Sequence, residues 1–163
     1  MRLAHIAHLV AAIVICCAGG EASAQRVRTP ANVAGVYDMV ERDGAPIPNR
    51  RKAANPQCEI EIIRSVLTLR ADGSADESVT SRLWCDGKTE PEPTRTWTMA
   101  GGFRLSGPRG DSIVITVSSD AGGTDRMAGQ FAGNQLRVVG ETIGHSLHRS
   151  YRYVRRSRRG TAR

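Results

Sequence analysis

The sequence predicts an all-β fold, a small antiparallel up-and-down barrel of about eight strands. Three observations carry that expectation. Apolar and polar residues alternate with period two over short runs, as at Leu67 and Leu69 or at Ile113, Ile115 and Val117, which is the mark of half-buried antiparallel strands. The runs are separated by turn formers such as Asp43 with Gly44, Asp72 with Gly73 and Gly133 with Asn134, residue types that accept tight hairpin geometry. After the first 24 residues no segment keeps the 3.6-residue apolar spacing of an amphipathic helix. About eight strands is also the size at which a sheet closes and loses its edges, leaving an interior that side chains fill or one small ligand occupies.

The chain begins with an export signal. Arg2 precedes an apolar run that includes Ile13, Val14 and Ile15, and Ala22, Ser23 and Ala24 form a small-residue cleavage site before Gln25. The run is much shorter than the roughly 20 residues of a membrane-spanning helix and ends in Gly19, Gly20 and Glu21. Residues 1–24 are therefore expected to be removed, and the mature protein to be periplasmic or secreted. A lipid anchor on Cys16 or Cys17 is the competing reading, although Ile15, rather than a small residue, precedes Cys16. Cys58 and Cys85 remain after cleavage, and in an oxidising compartment two cysteines point to a bridge before a metal site.

Residues 25–34 read as a flexible N-terminal segment and 35–154 as the barrel. The first strand spans 35–40 and is closed by Asp43 and Gly44. Residues 46–56, broken by proline, read as neither strand nor helix. Cys58, Ile60 and Ile62 share one strand face, leaving Glu59 and Glu61 to solvent. Leu67 and Leu69 lead into the hairpin at Asp72 and Gly73. The return strand places Val79, Leu83 and Cys85 on one face and Thr80, Arg82 and Trp84 on the other. Beyond a loop with Pro91 and Pro93, Trp97 and Met99 approach Gly101 and Gly102, where a strand can kink, and Phe103 and Leu105 continue it. Arg109, Gly110 and Asp111, beside Gly107 and Pro108, read as a hairpin turn. Residues 113–117, 127–131, 135–139 and 147–154 complete the strands.

Charge is unevenly placed. The formal net charge is +7, yet basic and acidic residues balance from Gln25 to His148, and the excess lies in seven arginines from Arg149 onward. Residues 155–163 read as a basic disordered tail, with Arg155, Arg156, Arg158 and Arg159 the candidate contacts to an anionic surface. A neutral, exported body excludes nucleic acid as a partner.

No constellation marks an enzyme. His145 and His148, three apart on a strand, point to opposite faces and cannot share one ion. No nucleophile elbow and no phosphate-binding glycine loop is present. The expectation is a non-enzymatic monomer without cofactor or metal.

The run Gly35, Val36, Tyr37, the turn at Asp43 and Gly44 with Pro46 and Pro48 after it, the hairpin from Leu67 to Gly73 and the closing Tyr151, Arg152, Tyr153 resemble the small exported bacterial lipocalin-like barrels. In lipocalins the first strand carries Gly-x-Trp, with an arginine from late in the chain over the ring. The resemblance gives Tyr37 the ring's place and Arg149 or Arg152 the arginine's. It implies a binding module for a small apolar molecule, with Tyr37, Trp97, Phe103 and Tyr151 as candidate ligand contacts. The order of Cys58, Cys85, Trp97 and the glycine-rich strand also resembles exported barrel inhibitors of metalloproteases. That resemblance implies an envelope protein partner and would make 25–32 a segment inserted into the protease cleft.

Overall fold

The computed structural model describes residues 27–53, 55–143 and 148–157. Residues 1–24, expected to be a signal segment, and His145, Arg158 and Arg159 lie outside them. A short helix, α1 (Pro30–Val33), leads into ten strands: β1 (Gly35–Arg42), β2 (Ala45–Pro46), β3 (Asn49–Lys52), β4 (Cys58–Leu69), β5 (Ser74–Cys85), β6 (Arg95–Ser106), β7 (Ser112–Ser119), β8 (Thr124–Ala132), β9 (Gln135–Thr142) and β10 (His148–Arg155). From β4 to β10 each strand pairs antiparallel with the next, and β1 pairs with both β10 and β4. The eight strands β1 and β4 to β10 thus close an up-and-down barrel, compatible with a lipocalin-like architecture.

Two bulges shape one wall of the barrel. On β1 the register against β10 shifts between Met39 and Glu41, and on β4 the register against β5 shifts between Ile62 and Arg64. A bulge inserts one residue and reverses the faces of everything after it. On β1, Tyr37 and Met39 are buried, and after the shift it is Arg42 that turns inward while Glu41 faces out to Arg152. On β4, Leu69, Leu67 and Ser65 point in on one side of the shift and Ile62 on the other.

Direct β1–β4 pairing is confined to Gly35–Asp38 against Val66–Leu69. Beyond the bulges the two strands diverge. β2 lies along the freed edge of β1 and β3 along that of β4, Asn49 facing Ile62 and Lys52 facing Glu59. The proline-broken stretch 46–56 therefore contains strand after all. Its prolines are tolerated because Pro46 lies in the edge strand β2, paired on one side, while Pro48 and Pro56 fall between strands. Asn49 Nδ2 ties the connection by donating to the carbonyls of Ala45 (3.0 Å) and Pro46 (3.1 Å).

One end of the barrel is sealed by α1. The Thr29 N–H donates to Asn32 Oδ1 (2.8 Å), Pro30 fits the first helical position, and Val33 is buried against the core. Tyr37 donates its hydroxyl to the Val33 carbonyl (2.7 Å). The late arginine over Tyr37 is Arg155, its guanidinium carbon 5.9 Å from the ring centroid. It is neither Arg149, which sits at the far end of the barrel, nor Arg152, which pairs with Glu41 outside. β10 runs from the far end toward α1, so only its last residue reaches the seal. Arg155 also donates to the carbonyls of Asn32 (3.0 Å) and Ala34. Position 35 is glycine for a steric reason, since a Cβ there would lie 2.7 Å from Arg155 Nε.

Cys58 and Cys85 face each other across β4 and β5 and form a disulfide. Among the described residues no helix is long and apolar enough to cross a membrane.

Candidate ligand-binding cavity

Side chains fill the α1 end of the barrel. Leu67, Leu69, Ile113, Ile115, Leu136 and Tyr153 are each at most 1% exposed. Toward the opposite end the interior opens into a cavity of about 160 Å³. Its apolar wall is made by Met39, Ile60, Ile62, Val79, Met99 and Trp97, and its polar wall by Arg42, Glu77, Asp125, Arg149 and Tyr151. A second recess of about 240 Å³ shares Ile60 and Trp97 with the first and runs outward under Glu92 and Pro93 of the β5–β6 connection. The volume of the inner cavity is several times the ~30 Å³ share of a water molecule and below the ~300 Å³ at which drug-sized pockets begin.

The polar wall holds two unusual groups. Glu77, on the inner face of β5, is 4% exposed, and its Oε1 accepts from Ser65 Oγ (2.5 Å) and Tyr153 Oη (2.8 Å). Burial holds its carboxyl above the usual range, against the two hydrogen bonds, and Asp125 adds to the rise. Arg42 is 1% exposed, and its Nε, Nη1 and Nη2 are all buried without a hydrogen-bond partner among the described residues. Among the described residues its paired anion is Asp43, 3.7 Å from Nε. Burial lowers the basicity of Arg42, as do Arg149 and Arg51 nearby. Burial likewise pushes the Tyr151 hydroxyl up to about 12, so it is neutral at ordinary pH.

The four rings expected to line one pocket divide between the two ends. Trp97, 36% exposed at the rim, and Tyr151 line the cavity. Tyr37 and Phe103 do not. Tyr37 lies under α1 with its ring centroid 6.3 Å from that of Phe131, and Phe103 is buried opposite Ile115. β1 and β6 run in opposite directions relative to α1, and β6 is 12 residues long. Residues six apart on it, Trp97 and Phe103, therefore share a face but sit roughly 20 Å apart along the strand.

Other expected sites are also accounted for. Arg155 belongs to β10, and Arg156 makes a two-pronged pair with Asp38 at 2.5 Å on each arm, so neither guanidinium extends freely from the barrel. The N-terminal segment is fastened from Arg28 on: its N–H donates to the Arg109 carbonyl (2.8 Å), its guanidinium lies 4.9 Å from the Phe131 ring centroid, and α1 follows. Most of the stretch 25–32 is therefore held against the barrel instead of projecting from it. His148 is exposed on β10.

Glu61, read as a solvent-facing residue, is instead covered by its outer-wall neighbours. It accepts from Arg82 Nε (2.6 Å) and Trp84 Nε1 (2.8 Å), which lower its pKa, and Arg50 stacks 3.4 Å from the Trp84 ring centroid. The β3 strand that brings Arg50 across is the part of the chain that had seemed unstructured. A broad groove of about 970 Å³ also lies on the outside of β7 to β10, but Arg152 at its rim is already paired with Glu41 at 2.8 Å.

Arg42 and Glu77 had no signal in the sequence. Alternation counted from Tyr37 puts Arg42 on the outer face, and only the bulge after Met39 brings it inside. Glu77 alternates correctly with Val79 and Ala75, but a carboxylate gives no sign that it will be buried until Tyr153, 76 residues away, is placed beside it. The sequence matches no protein-family model, and no curated protein compared with it is detectably similar.

Proposed function

We propose that this is an exported, lipocalin-like, non-enzymatic binding protein that holds one small ligand inside the barrel at the end opposite α1. The observation that supports the reading is the contrast between the two ends. The α1 end is packed to its limit, whereas the other keeps a cavity with an aromatic rim residue and buried polar groups on its wall. Close packing is the rule for protein interiors, and a concave hollow with a few convergent polar groups is the usual form of a small-molecule site. The docking of residues 28–33 on the barrel favours this reading over insertion of that segment into a protease.

Trp97 and Trp84 supply a paired test, because Trp97 lines the cavity and Trp84 lies on the outer wall. Binding of the neutral fluorescent probe N-phenyl-1-naphthylamine is expected to weaken at least about fivefold in Trp97→Ala, equivalent to ~1 kcal/mol of lost contact. Trp84→Ala is expected to leave it within twofold. Equal effects of the two substitutions, or no binding by the wild-type barrel, would remove the support for a luminal site.

A further inference from the structure

A guanidinium is among the most costly groups to enclose without partners, because it carries a permanent charge and five N–H donors. Arg42 is nevertheless 1% exposed, with every side-chain nitrogen buried and without a hydrogen bond among the described residues. It is aimed into the cavity by a bulge, a device that redirects a side chain at the expense of regular pairing. Asp43 approaches only to 3.7 Å on the Nε side, beyond hydrogen-bond reach. Arg149 and Arg51 add positive charge nearby.

We propose that Arg42 is an anchor for the carboxylate of a small amphiphile, whose apolar part lies along Met39, Ile62, Val79 and Met99. The inference rests on the luminal reading and adds the class of ligand to it. The planar fork of an arginine matches the two oxygens of a carboxylate. The size of the cavity suits a body of about ten non-hydrogen atoms, well short of a drug-sized molecule. A single negative charge suits the wall, because Asp125 and Glu77 already place two carboxyls there. A wholly apolar ligand would leave the three nitrogens of Arg42 without acceptors among the described residues.

Octanoate and octanol, equal in chain length and differing at the head group, test the anchor by displacement of N-phenyl-1-naphthylamine and by calorimetry on the mature protein. The wild-type barrel is expected to bind octanoate at least tenfold more tightly than octanol. In Arg42→Met, which replaces the cation with an apolar chain of similar reach, octanoate should lose that advantage and octanol should bind at least as well as before. Arg42→Lys, which keeps the charge but loses the fork, should retain part of the preference.

Equal binding of the two compounds by the wild type, measured without any variant, overturns the anchor and leaves the luminal site standing. Retention of the full octanoate preference in a folded Arg42→Met protein does the same. Failure of the probe and both compounds to bind overturns the luminal reading and the anchor together.

Discussion

Glu77 offers the sharpest test of how the interior of this barrel is held. Its Oε1 is the shared acceptor for Ser65 and Tyr153, both 0% exposed. Glu77→Ala would leave two buried hydroxyls without their acceptor, at about 1–3 kcal/mol each, so a loss of ~3–5 kcal/mol is expected. This is a large part of the 5–15 kcal/mol typical of a domain. Glu77→Gln keeps an oxygen in the same place and is expected to lose about 1 kcal/mol or less at pH 5.

The pH dependence separates the two effects. Burial raises the folded-state pKa of Glu77 above 4.5, so the folded protein keeps a proton that the unfolded chain releases. That contribution to stability is complete below about pH 4.5, falls as pH rises through the window up to the raised folded value, and is lost above it. The slope inside the window is about 1.4 kcal/mol per pH unit. Urea unfolding of the wild type and of Glu77→Gln from pH 4 to 8 reads the difference directly. The wild type should lose ground to the glutamine variant as pH rises. A difference that stays flat across this range, or Gln and Ala variants of equal stability, would refute the account.

The disulfide closes a loop with a sequence separation of 27, worth about 3.5 kcal/mol on the chain-entropy model. Replacing Cys58 and Cys85 together with alanine is expected to lower the thermal midpoint by roughly 10–15 °C for a domain of this size, and calorimetry showing a drop under about 3 °C would contradict it. Arg155→Met removes two charge-assisted bonds to the carbonyls of Asn32 and Ala34, with an expected loss of ~2 kcal/mol. Hydrogen exchange should accelerate at residues 28–34 far more than at Ile113, Ile115 and Val117, and uniform acceleration would mean that Arg155 does not secure the seal.

What could be read from the sequence was whatever period-two alternation and turn chemistry encode locally. Ile113, Ile115 and Val117 are buried as expected, the turns at Asp72 with Gly73 and Gly133 with Asn134 separate the strands they should, and Cys58 meets Cys85. What escaped was set by irregularity or by distance. The phases of β1 and β4 each reverse at a bulge, which turns Arg42 inward and also lets Ser65 and Ile62 share the interior. β2 and β3 are short, proline-marked edges whose pairing depends on where β1 and β4 separate. Arg155 reaches Tyr37 only because the last strand runs antiparallel to the first, so the choice among Arg149, Arg152 and Arg155 is one of strand direction. The expected ring cluster failed because shared strand face was read as shared depth.

The position of β1 between β4 and β10 has a consequence for the order of assembly. Every other neighbouring pair in the closed wall comes from consecutive strands, and such hairpins can form as the chain emerges. Closure joins the most distant strands, with Glu41 meeting Arg152 at a separation of 111 and Arg155 reaching Asn32 at 123. Until β10 is available, β1 and β9 each present an unpaired edge and the cap formed by α1 lacks its clasp. Such edges are templates for pairing with other chains, and contacts this remote are slow to form. Synthesis, which delivers the chain N-terminus first, therefore holds it as an open sheet until its final strand is free, when cylinder and lid are completed in one event.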